Sequence, residues 1–420
     1  MVNNSYPKLR ALDHQWIEHD GQPAMLLQDR LGIGPRGVVV PRLLVPMLAL
    51  CDGTRSPSQI QTALGLEWGL SLPMATVEGV LSHLDEALLL ENARFAERYR
   101  QALESYRTAP SRPAILAGSS YPSDPRELAR LLDSYLAEAA PQRNGRRALS
   151  HEPRGLICPH IDYDRGGPVY AQVWESAREA LRAADTFIVL GTDHAGEPGA
   201  LTLTRQSFQT PLGILATDRA AVDAVADTMG PRAAFASELN HRVEHSLELA
   251  LVWLRHLTGD RPIRILPVLC GSFHPFTQGN GRPSDVTSWR AAADALRELA
   301  QRDRTMVIAA ADLAHMGPAF GDPQPMELAE RASLYRADQE SLSTVCRGDE
   351  EGFLDMLAEE RDRRKVCGLP PIYLALSILG EVVGEVVDYA ICPAPGDSAV
   401  SIAGVLLTNP SNPGRQGESD

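Results

Sequence analysis

No stretch of this 420-residue chain stays apolar for the ~18–20 residues that a membrane-spanning helix needs. Its opening residues, Met1-Val2-Asn3-Asn4-Ser5-Tyr6-Pro7, lack the charged-then-apolar layout of a secretory leader. Cationic charge is in short supply. Forty Lys and Arg stand against 54 Asp and Glu, a formal net charge of −14. Phosphate neutralisation needs a basic face, and an anionic membrane surface repels such a chain on average, so neither nucleic acid nor membrane is expected as a partner. Cysteine is sparse: Cys51, Cys158, Cys270, Cys346, Cys367 and Cys392 form no CxxC pair. That excludes a zinc ribbon and a dense disulfide frame, and fits free thiols in a cytoplasmic protein. No GxSxG elbow occurs, so an α/β-hydrolase is unsupported. What remains is ordinary globular material, 44% hydrophobic and 22% charged, and long enough for two domains.

The first part reads as mainly helical after a short β-like piece, Gly37–Val40. Pro41 to Leu50 is an apolar helix. Ser56-Pro57 offers a capping serine with proline at the first helical position. Val77, Val80, Leu81, Leu84, Ala87 and Leu88 recur at helical spacing in a third helix. Three short helices with a strand resemble a winged-helix module, and Gly32 to Asn92 resembles the PqqD-type peptide-recognition fold. The third helix region carries Glu78, Asp85, Glu86 and Glu91 without lysine or arginine, which favours docking of a peptide or protein over DNA. A charged stretch, Ala93 to Arg112, with Pro110 and Pro113 near its end, marks a boundary. The expected organisation is a docking domain over 1–110, an α/β domain over 111–408, and a disordered tail over 409–420.

From Ala114 onward strands alternate with helices, the pattern of a sheet covered by helices on both faces. Strands are expected at Leu156–Cys158, Thr186–Leu190, Ile263–Leu269, Thr305–Ala310 and Val400–Leu407. Helices are expected at Pro125–Ala137, Val169–Ala183, Glu244–His256, Ser284–Ala300, Met326–Cys346 and Pro371–Leu379. Four of the strands end in histidines: His160, His194, His274 and His315. A single histidine after a strand is most often a loop residue bonded to backbone. Repetition at the end of the sheet where α/β proteins bind ligands points to a site instead. Gly166-Gly167-Pro168 reads as a turn into a helix, and Cys158 and Cys270 as core. Cys367-Gly368 reads as backbone geometry and packing near the cleft.

Several segments together resemble the Memo family. They are "RPAILAGSSYPSDPRELARLLDSYL", with Ser120 where a tryptophan is usual, then "CPHIDYDRGGPVYAQVW", "VLGTDHAG", "NHRVEHSLELALVWL", "IAAADLAHMG", "VCGLPPI" and "YAICPAPGDSAVSIAGVLL". They run in the family's order over nearly the whole second part. The resemblance implies the fold of class III extradiol dioxygenases, non-haem iron enzymes that open catechol rings. It also implies a metal held by His160, His194 and, counting back from the Asp-Ser-x-Val-Ser segment, Cys392. Two imidazoles and a thiolate leave a position for water or substrate and favour Fe(II), with copper or zinc as alternatives, over magnesium or calcium. Asp312 is expected either to orient a ligating histidine or to touch the metal or its water. His245 is expected as an acid–base or substrate-orienting group, or else as a cap on its helix; Glu248 shares its helix face.

The leading expectation is a metal-dependent, redox-active enzyme of unknown substrate. The same resemblance links it to the AmmeMemoRadiSam group as system protein B, with a radical-SAM enzyme and a system protein A-like protein as partners. A non-catalytic metal- or peptide-binding scaffold and a ligand-sensing regulator are the competing classes.

Overall fold

The computed structural model describes residues 6–35, 37–143 and 152–410. Residues 411–420, most of the expected tail, lie outside the described residues. The chain divides between Ala109 and Pro110 into two compact units.

The first unit holds a three-stranded antiparallel sheet, ordered β1 (Asp13–His19), β2 (Gln22–Gln28) and β3 (Val38–Pro41). Helices Val45–Leu50, Pro57–Trp68, Met74–Glu86 and Ala93–Thr108 follow. The β1–β2 hairpin was not among the sequence expectations. Its two-residue loop, Asp20-Gly21, has both φ angles positive, at 53° and 70°. Asp-Gly suits that turn because glycine reaches positive φ without a Cβ clash and aspartate tolerates it. Ser56 caps its helix: its hydroxyl accepts from the Gln59 N–H while the Gln59 side chain accepts from the Ser56 N–H. Met47, Ile60, Leu64, Val77 and Leu81 close one apolar cluster between the helices.

The second unit is built on a ten-stranded mixed sheet. Its strands are β4 (Pro153–Cys158), β5 (Thr186–Asp193), β6 (Leu201–Leu203), β7 (Phe208–Thr210), β8 (Gly213–Thr217), β9 (Arg264–Gly271), β10 (Thr305–Ala310), β11 (His315–Met316), β12 (Val383–Ala394) and β13 (Ser398–Thr408). The order is β11-β13-β4-β10-β5-β9-β8-β7, with β12 on β13 and β6 on β9. Strands β4, β10, β5 and β9 are parallel neighbours, and β13 runs antiparallel to β4. Four of the five strands read from the sequence fall inside β4, β5, β10 and β13, and the fifth, Ile263–Leu269, starts one residue ahead of β9.

Side chains of a strand alternate between faces, and here both faces are apolar. Phe187 and Val189 join Tyr170, Trp174 and Trp253 in one core. Ile188 and Leu190 join Val222, Trp289 and Leu376 in the other. The helices over the first face are Pro125–Arg143, Tyr163–Ser176 and Ser246–Thr258; over the second, Arg219–Met229, Thr287–Ala300 and Leu369–Leu379. Each fully buried Ile, Leu or Phe contributes about 1.5–3 kcal/mol, so the double-sided core fixes the strand ends rigidly. The family's α/β sheet flanked by helices is therefore observed.

Candidate metal centre

Strands β4, β10 and β5 lie side by side and parallel, so the residues following them emerge at one end of the sheet. His160 follows β4, His194 follows β5, and Asp312 and His315 follow β10. These four, with His245, line one cleft of about 730 Å³. His274, after β9, is exposed and stands apart from that lining.

Each imidazole is anchored through one nitrogen. The His160 Nδ1 lies 3.0 Å from the Ala310 carbonyl, which can only accept, so Nδ1 carries the hydrogen and Nε2 is turned to the cleft. The His194 Nδ1 lies 3.1 Å from both oxygens of Glu244, and the His245 Nδ1 lies 3.1 Å from Glu244 Oε1. A carboxylate between two ring nitrogens fixes both as N–H donors and leaves both Nε2 atoms facing outward. The rings of His194 and His245 stack at 4.9 Å, and His160 sits edge-on to each, at 5.3 and 5.5 Å.

The thiol beside these rings is Cys367. Its Sγ is 3.2 Å from His160 Nε2, and one ligand atom each from His160, His194 and Cys367 lies within 4.8 Å of the others. Bonds of ~2.0–2.3 Å at tetrahedral angles place donor atoms roughly 3.3–3.8 Å apart, so the trio fits a transition-metal ion. His194, Glu244 and His245 are equally close together. The Glu244 oxygens, however, already accept the main-chain N–H of His194, His245 and Ser246, so this carboxylate serves to hold the rings.

Charge follows geometry. Burial pushes the Cys367 thiol up, but the imidazoles of His160 and His315 and hydrogen bonds from His160 and His194 outweigh it, holding the thiol well below its usual range. Burial acts against the His160 imidazolium, yet Asp312 and Cys367 raise that ring to about 9. Glu244 is pushed up by burial and brought well below the usual carboxylate range by His194 and His245. The centre is a thiolate–imidazole–carboxylate cluster suited to a cation.

The structure brings His160 and His194 together and stacks His245 on His194. Asp312 Oδ1 accepts from the main-chain N–H of His160 and Ile161, while Oδ2 lies 3.7 Å from His160 Nε2. Asp312 thus orients His160 through its backbone, the ring N–H going to Ala310 instead. Cys392 needs correction. It belongs to neither group of close ligand atoms; its Sγ lies 3.5 Å from the Arg165 carbonyl oxygen, in an apolar cluster with Ile161, Val169, Val400 and Ile402. Counting back from the Asp-Ser-x-Val-Ser segment fixes a place on β12, opposite Val400, but not which thiol comes within reach of the imidazoles. Cys367 precedes Gly368, at the start of the helix Leu369–Leu379, a position that favours a thiolate. A Cβ on Gly368 would lie 2.3 Å from the Asp312 carbonyl oxygen, so glycine lets this loop approach the end of β10.

Glu244 was missed, and Glu248 was misplaced beside His245. Glu248 is buried, pairs with the fully buried Arg112, and accepts from the N–H of Ile115 and Leu116. Arg112 also donates to the carbonyls of His241 and Glu244, at 3.0 and 2.7 Å. This clamp fixes the main chain from which Glu244 and His245 project.

The fold is a mixed α/β sheet in which two imidazoles and a thiol that could hold a metal ion meet beyond the parallel strands. Residues 112–406 match the family model described as "Memo-like protein", and the chain belongs to that family. Among curated relatives, a MEMO1 family protein of Aquifex aeolicus is 26% identical over 96% of this chain and 99% of its own. One of Thermus thermophilus is 29% identical over 84% of this chain and 99% of its own. One of Methanosarcina acetivorans is 29% identical over 66% of this chain and 90% of its own. No helix among the described residues is long and apolar enough to cross a membrane.

Proposed function

We propose that the chain is a metal-dependent, redox-active enzyme whose ion is held by His160 Nε2, His194 Nε2 and Cys367 Sγ. The observation that carries this reading is the anchoring of every ring through Nδ1, which turns three Nε2 atoms and one low-pKa thiol toward one cleft. Two imidazoles and a thiolate suit Fe(II) or Cu(I), with Zn(II) as the redox-inert occupant, and leave room for an exogenous ligand. When bound, such an ion supplies Lewis acidity or an electron. His245 offers Nε2 to hold or take a proton at the cleft wall, its other nitrogen being fixed by Glu244. Asp312 keeps His160 in place. The family resemblance carries a partnership with a radical-SAM enzyme and a system protein A-like protein into this proposal.

Elemental analysis and electron paramagnetic resonance of anaerobically purified protein, with azide or nitric oxide added, test it. We expect about one Fe or Cu per chain, a spectrum altered by the added ligand, and loss of metal in Cys367→Ala and in His160→Ala/His194→Ala. Cys392→Ala should keep its metal. Full metal content in Cys367→Ala would remove the proposed ligand set, and an ion that no added ligand perturbs would favour the scaffold class.

A further inference from the structure

The cleft carries two cations that the metal chemistry leaves unused. Arg165, in the first turn of the helix Tyr163–Ser176, lines it, as does Lys365, two residues before Cys367. The Arg165 guanidinium is braced from two sides: Nε and Nη2 donate to Asp162 Oδ2 at 2.7 and 2.5 Å, and Nη1 donates to the Pro393 carbonyl at 3.2 Å. A guanidinium has five N–H donors in a rigid plane, so two remain, one on each terminal nitrogen. These two N–H groups are available to an anionic group in charge-assisted hydrogen bonds. The Asp162 carboxylate meanwhile has one oxygen on the guanidinium and the other on the Arg165 main-chain N–H, as its helix cap. Lys365 donates to Asp322, and an ammonium has three donors. Both cations are part-exposed, their side chains about a third to two-fifths accessible. Beside the metal trio the lining holds these two cations and two carboxylates, Asp162, which braces Arg165, and Asp312, whose Oδ1 is taken by the main-chain N–H groups of His160 and Ile161. The lining also carries apolar side chains: Leu116, Ile161, Leu249, Phe320 and Val400.

We propose that the cleft selects a small molecule with one anionic group on an apolar body, Arg165 and Lys365 taking the anion while the body packs on apolar lining residues such as Leu116, Leu249 and Phe320. A volume of about 730 Å³ accommodates such a ligand together with the metal trio. The proposal rests on the reading of the cleft as a substrate site, and Arg165 is its specificity-determining residue. The braced guanidinium is already ordered, so little side-chain freedom is lost on binding.

Titration calorimetry of the full-length chain with benzoate, benzamide and benzylamine, matched in shape and differing in charge, tests it. It is run on metal-loaded and chelator-treated protein. Benzoate is expected to bind roughly tenfold or more tightly than either analogue in both metal states, the scale of a charge-assisted pair. Arg165→Gln should abolish the preference with an unchanged circular dichroism spectrum. Lys365→Gln, at a more exposed side chain, should weaken it severalfold and serves if the first variant folds poorly. Benzoate no tighter than benzamide overturns the proposal. So does a preference that vanishes with the chelator yet survives both substitutions; that would put the carboxylate on the ion and leave the metal reading standing. A preference that persists in protein taking up no metal sinks the metal reading and supports this one.

Discussion

Glu244 is the residue on which the geometry of the centre turns, because one carboxylate receives five different N–H groups. Its oxygens accept from the ring nitrogens of His194 and His245 and from the main-chain N–H of His194, His245 and Ser246. Glu244→Gln preserves shape but replaces one acceptor oxygen by an NH₂ group facing donors, so at least one imidazole must turn or change tautomer. Metal affinity should fall about 10–100-fold, with a shifted metal spectrum and near-normal folding. Competition titration against a chromophoric chelator reads the first, and near-ultraviolet circular dichroism the last. Unchanged affinity would reduce Glu244 to a buried counter-ion. At this scale the sequence disclosed His160, His194 and Asp312, since a histidine or aspartate just beyond an apolar strand has a predictable location. It could not disclose the partner of each ring. Glu244 sits next to His245, yet its contact with His194 spans fifty residues of chain. The thiol was misassigned for the same reason: Cys392 belongs to an extended strand and Cys367 to a loop, and spacing from a motif does not tell which thiol approaches the imidazoles.

At the scale of elements, buried parallel strands were readable because continuous apolar runs such as Phe187–Leu190 have few other uses. Strand β12 was not. Glu385 and Asp388 interrupt its alternation, and most of it is only half-buried because it lies beyond β13. The β1–β2 hairpin escaped for a similar reason, β1 being mostly exposed and polar, but its turn was legible. Asp20-Gly21 is a strong hairpin signal, and the positive φ of both residues matches it. A Cβ added at Gly21 would meet no heavy atom within 4 Å, so replacement there tests backbone conformation without steric overlap. Gly21→Ala should destabilise the first unit by about 1–2 kcal/mol, the cost of a left-handed L-residue, while metal content stays the same. Chemical denaturation followed at Trp16, on β1, would register it. A variant as stable as the parent would mean that the turn does not hold the hairpin's register.

For the molecule as a whole, the centre is assembled from segments between Arg112 and Cys367, and it stands on buried polar groups that tolerate no added charge. His241 is one of them. Its Nε2 donates to the Thr202 carbonyl at 3.0 Å, its Nδ1 is buried without a partner among the described residues, and its main-chain oxygen receives the Arg112 side chain. Burial depresses the ring to about 3, against the pull of Thr202 and with the help of the Arg112 charge. In the unfolded chain an ordinary histidine takes its proton near pH 6.5. Above that value the ring is neutral in both states and stability is at its full level. Between pH 6.5 and about 3 only the unfolded chain gains the proton, so stability falls by ~1.4 kcal/mol per pH unit from this one group. His241→Gln keeps an N–H for Thr202 and removes the titration. The variant should be less stable than the parent at pH 7, because a flexible amide replaces a packed ring, yet lose less stability on going to pH 4.5. Urea denaturation at the two pH values measures the difference. Equal losses in parent and variant would show that His241 already holds its proton in the folded state, and that the Arg112–Glu248 clamp beneath the centre tolerates a second cation.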